Sequence, residues 1–193
     1  MSSIFYSGRK TVALILLLPL ASACAPRAVE TPPQPSKAAA RPVTQPSLTA
    51  ADQAAVDQAW AAYLRLNAIY LKAAQSGVYD WDADPAKRPL YPYAGGPYMS
   101  ALERDLDLMR EQGFVRKGAP QVALRRVVSV SPTSIVVEAC VDDSASDTVD
   151  KRTGKSVVKA GQNRRYPVTM RAGLYPDAHW RWVEAQADRA ASC

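Results

Sequence analysis

Residues 121–142 read QVALRRVVSVSPTSIVVEACVD. Val122, Leu124, Val128 and Val130 fall at every second place up to Ser131, and Ile135, Val137, Ala139 and Val141 resume that step after Pro132-Thr133-Ser134. A period of two sends successive side chains to opposite faces of a strand, and Pro, Thr and Ser between two such runs signal a turn. The stretch therefore predicts two antiparallel strands joined by a tight turn. Arg126 falls on the apolar face in this register, so either a bulge intervenes or the guanidinium is paired.

Upstream of this hairpin the period is helical. Thr49 and Asp52 are start signals, and Val56, Trp60, Tyr63, Leu64, Asn67, Leu71 and Ala74 recur at steps of three and four until Gly77, the spacing of one helical face. A second, shorter helix fits Tyr98, Leu102, Leu106 and Met109, with Pro97 at its start and Gly113 at its end. Downstream, Asp142 to Gly161 is polar and reads as a long hairpin excursion. Tyr166, Val168 and Met170 open a third strand, and Gly173 to Ala178 turns into a fourth holding Trp180 and Trp182. Helices followed by a meander of strands predict an α+β layer with the helices on one sheet face.

The chain has 193 residues, 48% hydrophobic and 22% charged, with 24 Lys plus Arg against 18 Asp plus Glu. That balance belongs to a globular protein and leaves room for one ordinary domain. Three cysteines and one histidine are too few soft ligands for a structural zinc site. The serine-nucleophile elbow, the paired zinc histidines, the phosphate loop and the two-residue cysteine pair are all missing. No cofactor and no metal site is expected. The sole histidine, His179, sits at the start of the last strand and is expected as a solvated turn residue rather than a base.

The amino end reads as an address. Arg9 and Lys10 precede an unbroken apolar run from Val12 to Leu18, then Pro19, Leu20 and the small residues Ala21, Ser22 and Ala23 before Cys24, the layout of a secretory signal over residues 1–23. The apolar stretch is shorter than the roughly 20 residues that cross a bilayer as a helix. Leu20-Ala21-Ser22-Ala23-Cys24 resembles the bacterial lipobox, with leucine one place earlier than is commonest. That resemblance implies cleavage before Cys24, a glyceride on its sulfur, and an extracytoplasmic chain held at the cell membrane by two or three fatty chains, each buried methylene adding about 0.8 kcal/mol. Residues 24–48 then form a tether. Pro26, Pro32, Pro33, Pro35, Pro42 and Pro46 lie among Ala, Ser, Thr and Gln, too little apolar surface to offset ordering entropy. The folded domain is expected over 49–193.

With Cys24 committed to lipid, Cys140 and Cys193 remain, and two thiols outside the cytoplasm normally pair. Two free thiols, or a disulfide involving Cys24, are the alternatives. The order of elements, Ala139-Cys140-Val141-Asp142, and Trp180-Arg181-Trp182-Val183 ahead of Cys193 resemble small actinobacterial lipoproteins and secreted proteins of the nuclear transport factor 2-like, or cystatin-like, superfamily. The resemblance implies a cone: a curved four-stranded antiparallel sheet wrapped around the long helix, with Cys140 tied to Cys193. It assigns no activity, because one fold hosts many functions.

Two features invite a ligand. Tyr79, Trp81, Tyr91, Tyr93 and Tyr98 crowd the segment between the helices, and Trp81, Tyr91, Tyr93 and Tyr98 are the candidate contacts for a sugar, a cation or a peptide. The alternative is a compact loop held by its own rings. Asp80, Asp82 and Asp84 have the spacing of a calcium loop without its sixth-place glycine or closing glutamate. Charge is also uneven, since residues 114–171 carry eleven basic and five acidic groups. Arg116-Lys117, Arg125-Arg126, Lys151-Arg152 and Arg164-Arg165 could face anionic lipid or wall polymer, or simply water. Export makes nucleic acid a poor partner.

The expectation is an exported, membrane-anchored lipoprotein with a non-catalytic binding or scaffold domain, whose partners are the membrane, an envelope protein or an anionic wall polymer. A cone-type enzyme acting on a small ligand, or an accessory part of a secretion assembly, is the alternative. An enzyme should aim a polar residue such as Arg126, Glu138 or Asp142 into an apolar cavity with a shifted pKa, whereas a filled cone lined only by apolar side chains favours the binding protein.

Overall fold

The computed structural model describes residues 47–193. The signal segment, Cys24 and most of the tether lie outside the described residues. Helix α1 spans Ala50–Ser76 and α2 spans Gly96–Gln112, with a short 3₁₀ turn at Pro85–Lys87 between them. Six strands follow: β1 Phe114–Gly118, β2 Gln121–Ser131, β3 Ser134–Asp142, β4 Ser146–Asp150, β5 Arg165–Leu174 and β6 Trp180–Ala187. Strands β2-β3-β5-β6 form a four-stranded antiparallel sheet, and β1 pairs with β4 in a separate two-stranded ribbon. The domain is α+β.

Helix α1 starts where its sequence provides a reciprocal cap. Thr49 Oγ1 accepts from the Asp52 backbone N–H at 3.1 Å while Asp52 accepts from the Thr49 N–H at 3.1 Å, which satisfies donors that a helix start leaves open. It stops at Gly77, whose φ of 72° suits a residue without a Cβ. Its buried face comprises Val56, Ala59, Tyr63, Leu66, Ala73 and Ala74. That stripe is rotated from the expected one: Leu64 faces solvent at 49% exposure, while Ala59 and Leu66 turn inward.

The hairpin closes as expected, with Ser131 opposite Ser134. Its first strand differs in detail. Leu124 faces Ala139 but Arg126 faces Glu138, and Val127 faces Val137 but Ser129 faces Val136. Each shift inserts one extra residue and exchanges the faces of everything after it. Arg126 thereby moves to the outer face of the sheet, where Nη2 donates to Glu138 at 2.8 Å. Both answers to the sequence puzzle hold: there is a bulge, and the arginine is paired. Val127 takes the core place expected of Val128, which is left exposed.

The polar stretch 142–161 is not simply an excursion. Residues 146–150 form β4, which pairs with β1 from Phe114↔Asp150 to Gly118↔Ser146. The reason it reads as a loop is that Ser146 and Val149 are its only buried side chains, so the apolar signal is thin.

The core lies between α1, α2 and the inner face formed by Ile135, Val137, Ala139, Val168, Met170 and Ala172. Its centre is Trp182, fully buried, edge-on to Trp60 and Tyr63 with ring centroids 6.3 and 5.6 Å away. Cys140 points to the opposite face of β3 and is bonded to Cys193, with Cα atoms 5.8 Å apart. None of the helices among the described residues is long and apolar enough to cross a membrane.

Candidate functional site

A cavity of about 220 Å3 opens between α1, α2 and the inner face of the large sheet. Helix periodicity puts Tyr63, Asn67 and Tyr70 on one stripe of α1, and α2 contributes Tyr98 and Leu102. The strands add Val122, Val141, Val168 and Met170 as an apolar floor, while Arg116, Asp143, Tyr166 and Arg189 form a polar rim. Asp143 belongs to the core-facing series because 139, 141 and 143 alternate, so its side chain continues the line of Ala139 and Val141.

The rim is a connected network. Tyr166 donates its hydroxyl to Asp143 Oδ2 at 2.9 Å, and Arg189 Nη2 donates to the Tyr166 hydroxyl at 2.8 Å. The Arg189 guanidinium lies 3.9 Å from the Tyr166 ring centre and 3.6 Å from Asp143 Oδ2. Arg164 donates to the backbone carbonyls of Asp143 and Ser146, which pins the segment carrying the carboxylate. Arg116 makes no ion pair with a carboxylate among the described residues and lies 5.8 Å from the Tyr70 ring centre. Asp143 and Arg189 offset one another, so Arg116 leaves the rim with a net positive charge.

Four tyrosines line this space, and burial raises the titration of each above the ordinary phenol value. Burial pushes Tyr98 up to about 12. Burial, then the hydrogen bond to Asp143, pushes Tyr166 up to about 12. Tyr63 and Tyr70 are raised further, mainly by desolvation, which disfavours a phenolate. Tyr70 donates to Asp105. Tyr63 has no hydrogen-bond partner among the described residues, although the residue is only 7% exposed. The cavity thus offers neutral donors and one unpaired cation over an apolar floor. Its carboxylate accepts from Tyr166 and faces Arg189 through Oδ2.

The residues singled out in the sequence are not gathered here. Of Trp81, Tyr91, Tyr93 and Tyr98, only Tyr98 lines this cavity. Tyr91 stacks on Arg181, 4.7 Å from its guanidinium, and Tyr175 covers the other side at 4.5 Å. Trp81 meets Tyr79 edge-on at 4.7 Å. Tyr93 accepts the Trp182 N–H on its carbonyl at 2.9 Å, and the Gly95 N–H donates back to the Trp182 carbonyl at 2.9 Å. The loop between the helices is therefore clamped to β6 and closed on its own rings. Asp82 and Asp84 accept backbone N–H groups two residues downstream, which is turn chemistry. Glu138 is paired with Arg125 and Arg126 on the outer face, and Asp142 accepts from Ser144, which lowers its carboxyl below the usual range. Neither reaches the cavity. His179 is exposed in the turn before β6.

Among the basic pairs, Arg125 and Arg126 are bonded to Glu138, Arg164 to carbonyls, and Arg116 faces the cavity. Lys117, Lys151, Arg152 and Arg165 remain exposed. Sequence reasoning missed Tyr63, Tyr70, Arg116, Asp143, Tyr166 and Arg189 as a group, because they come from separate elements. The available signals were the helical spacing of Tyr63 and Tyr70 and the alternation that carries Asp143 inward.

The chain carries an α+β domain of two helices and antiparallel sheets, with a tyrosine-lined cavity between the layers. No protein-family model matches it, and no curated relative matches it. Among solved structures it is similar to the intermembrane space region of chloroplast protein ARC6, at 13% identity over 74% of this chain and 98% of that one, TM-score 0.47. It is also similar to a nuclear transport factor 2 (NTF2-like) superfamily protein from Salmonella enterica serovar Typhimurium, at 13% identity over 72% of this chain and 94% of that one, TM-score 0.44. A protein from Catenulispora acidiphila aligns at 12% identity over 72% and 94%, TM-score 0.39.

Proposed function

We propose that this is an exported lipoprotein, anchored at the extracytoplasmic face of the cell membrane through Cys24, whose cystatin-like cone binds a ligand or partner rather than catalysing a reaction. The observation that carries the reading is the bond between Cys140 and Cys193. Disulfides persist in oxidising compartments, and pairing these two of three cysteines leaves Cys24 for the thioether that the lipobox resemblance implies.

Arg116 and Asp143 stand over an apolar floor, the placement a cone-type enzyme would use, so the preference for binding rests on how those groups are engaged. The tyrosines are held neutral, and Asp143 is tied to Tyr166 and Arg189. A general base must be free to take a proton from a substrate. The proline-rich segment 24–48 then serves as the stalk that lifts the cone clear of the headgroups.

Metabolic labelling with a palmitate analogue tests the anchor. The parent is expected to carry label and to sediment with membranes, whereas Cys24→Ala is expected to lose the label and leave the membrane fraction. A Cys24→Ala protein held as firmly as the parent would overturn the anchoring.

A further inference from the structure

We infer that the cavity between the helices and the sheet is a site for a small organic carboxylate, its apolar body lying against Leu66, Val168 and Met170 and its head between Arg116 and the hydroxyl of Tyr63. The inference rests on the reading of the domain as a binding module and names the ligand class.

Two independent observations point to a ligand. The first is Tyr63, 7% exposed yet without a hydrogen-bond partner among the described residues, its ring lining the cavity. Every fully buried side-chain polar atom among the described residues has a partner, so this hydroxyl is open to the cavity and free to donate to an acceptor that enters. The second is charge. Arg189 is engaged by Tyr166 and Asp143, whereas Arg116 faces the same space without a carboxylate partner among the described residues.

The shape and chemistry narrow the class. A cavity of about 220 Å3 lies below the roughly 300–1,000 Å3 of drug-sized sites, which limits the occupant to a single ring or short chain. Two donors are free for the head: the Arg116 guanidinium fork matches the two oxygens of a carboxylate, and the Tyr63 hydroxyl, which makes no other bond among the described residues, adds a neutral donor. Asp143, on the same rim, would repel a dianion, which favours a single negative charge. The apolar floor rejects a fully hydrated anion, because desolvating it without burying apolar surface brings no gain.

Calorimetric titration of the mature chain with benzoate and hexanoate tests this, with benzyl alcohol and hexanol as neutral counterparts of the same body. The acids are expected to bind at least about tenfold more tightly than the alcohols. Arg116→Gln is expected to weaken acid binding about tenfold while leaving the alcohols unchanged, and Tyr63→Phe to weaken it several-fold with the fold retained by circular dichroism. Equal affinity for acid and alcohol, absence of acid binding at millimolar concentration, or undiminished binding in both variants would overturn the inference. Mass spectrometry of the recovered acid separates the two readings: a chemically altered acid defeats the non-catalytic reading while leaving the ligand class in place.

Discussion

The indole N–H of Trp182 donates to the backbone carbonyl of Ala59 at 2.9 Å, joining the last strand to the first helix across 123 residues of sequence. The same residue holds the inter-helix loop through its own N–H and carbonyl, which meet Tyr93 and Gly95. Layer packing, loop position and helix rotation therefore meet at one side chain.

Trp182→Phe removes that hydrogen bond and leaves a gap beside Trp60 and Tyr63. A loss of about 2–3 kcal/mol is expected, from the lost donor together with the unfilled space. Urea denaturation measures it, and a change below roughly 1 kcal/mol would contradict the role given to the indole.

Gly95 packs where a Cβ would collide with the hydroxyl and ring of Tyr175. Gly95→Ala is expected to cost about 1–3 kcal/mol by overpacking. Truncating the obstacle in Gly95→Ala/Tyr175→Ala should recover part of that loss, so the double-mutant cycle is expected to be non-additive. Simple additivity would mean that the two residues do not press on one another.

Linking residues 53 apart restricts the unfolded chain by about 4 kcal/mol on the chain-entropy account. Cys140→Ser/Cys193→Ser is expected to lose most of this, read as a lower Tm that added reductant no longer shifts. Parent protein in reductant should melt with the double variant. The tail carrying Arg189 is also held by Asn163, whose Nδ2 donates to Ala191 at 2.7 Å, so some rim structure should survive reduction.

Stability should fall at both ends of the pH scale for different reasons. Asp142 is held below the usual carboxyl range chiefly by Ser144, Asp150 by Thr153, and Glu184 by Arg171. A depressed folded value contributes stability above the unfolded pKa that is lost as acid protonates the folded group, below about pH 4. The tyrosines act in the opposite sense. Tyr98 and Tyr166 are raised to about 12 from 10.0, so their contribution is complete below pH 10 and declines as pH climbs toward 12. Phenolate absorbance is expected to rise together with loss of circular dichroism; ionisation of the cavity tyrosines near pH 10 in a still-folded chain would contradict the burial argument.

What could be read from the chain alone was local. The capping pair Thr49 and Asp52, the glycine ends of both helices and the β2–β3 hairpin each announce themselves within a few residues. Arg126 on the apolar face signals the first bulge, but its place at Arg125 and the second bulge at Val128 are set only through pairing with β3. The β1–β4 ribbon was hidden by its polarity. The site was the least legible part: concentrated aromatics at 79–98 mostly brace a loop, while the cavity draws single residues from positions as far apart as Tyr63 and Arg189. The chain offers Asp142 as an inward group and Asp143 takes that place, a difference of one residue that in a strand means the other face.

Tyr63 is stacked on Trp60 with ring centres 4.9 Å apart while its other side borders the cavity. Two indoles, Trp60 and Trp182, consequently sit one ring away from anything that enters. The molecule carries its own optical reporter: arrival of a guest should change tryptophan emission without any dye attached.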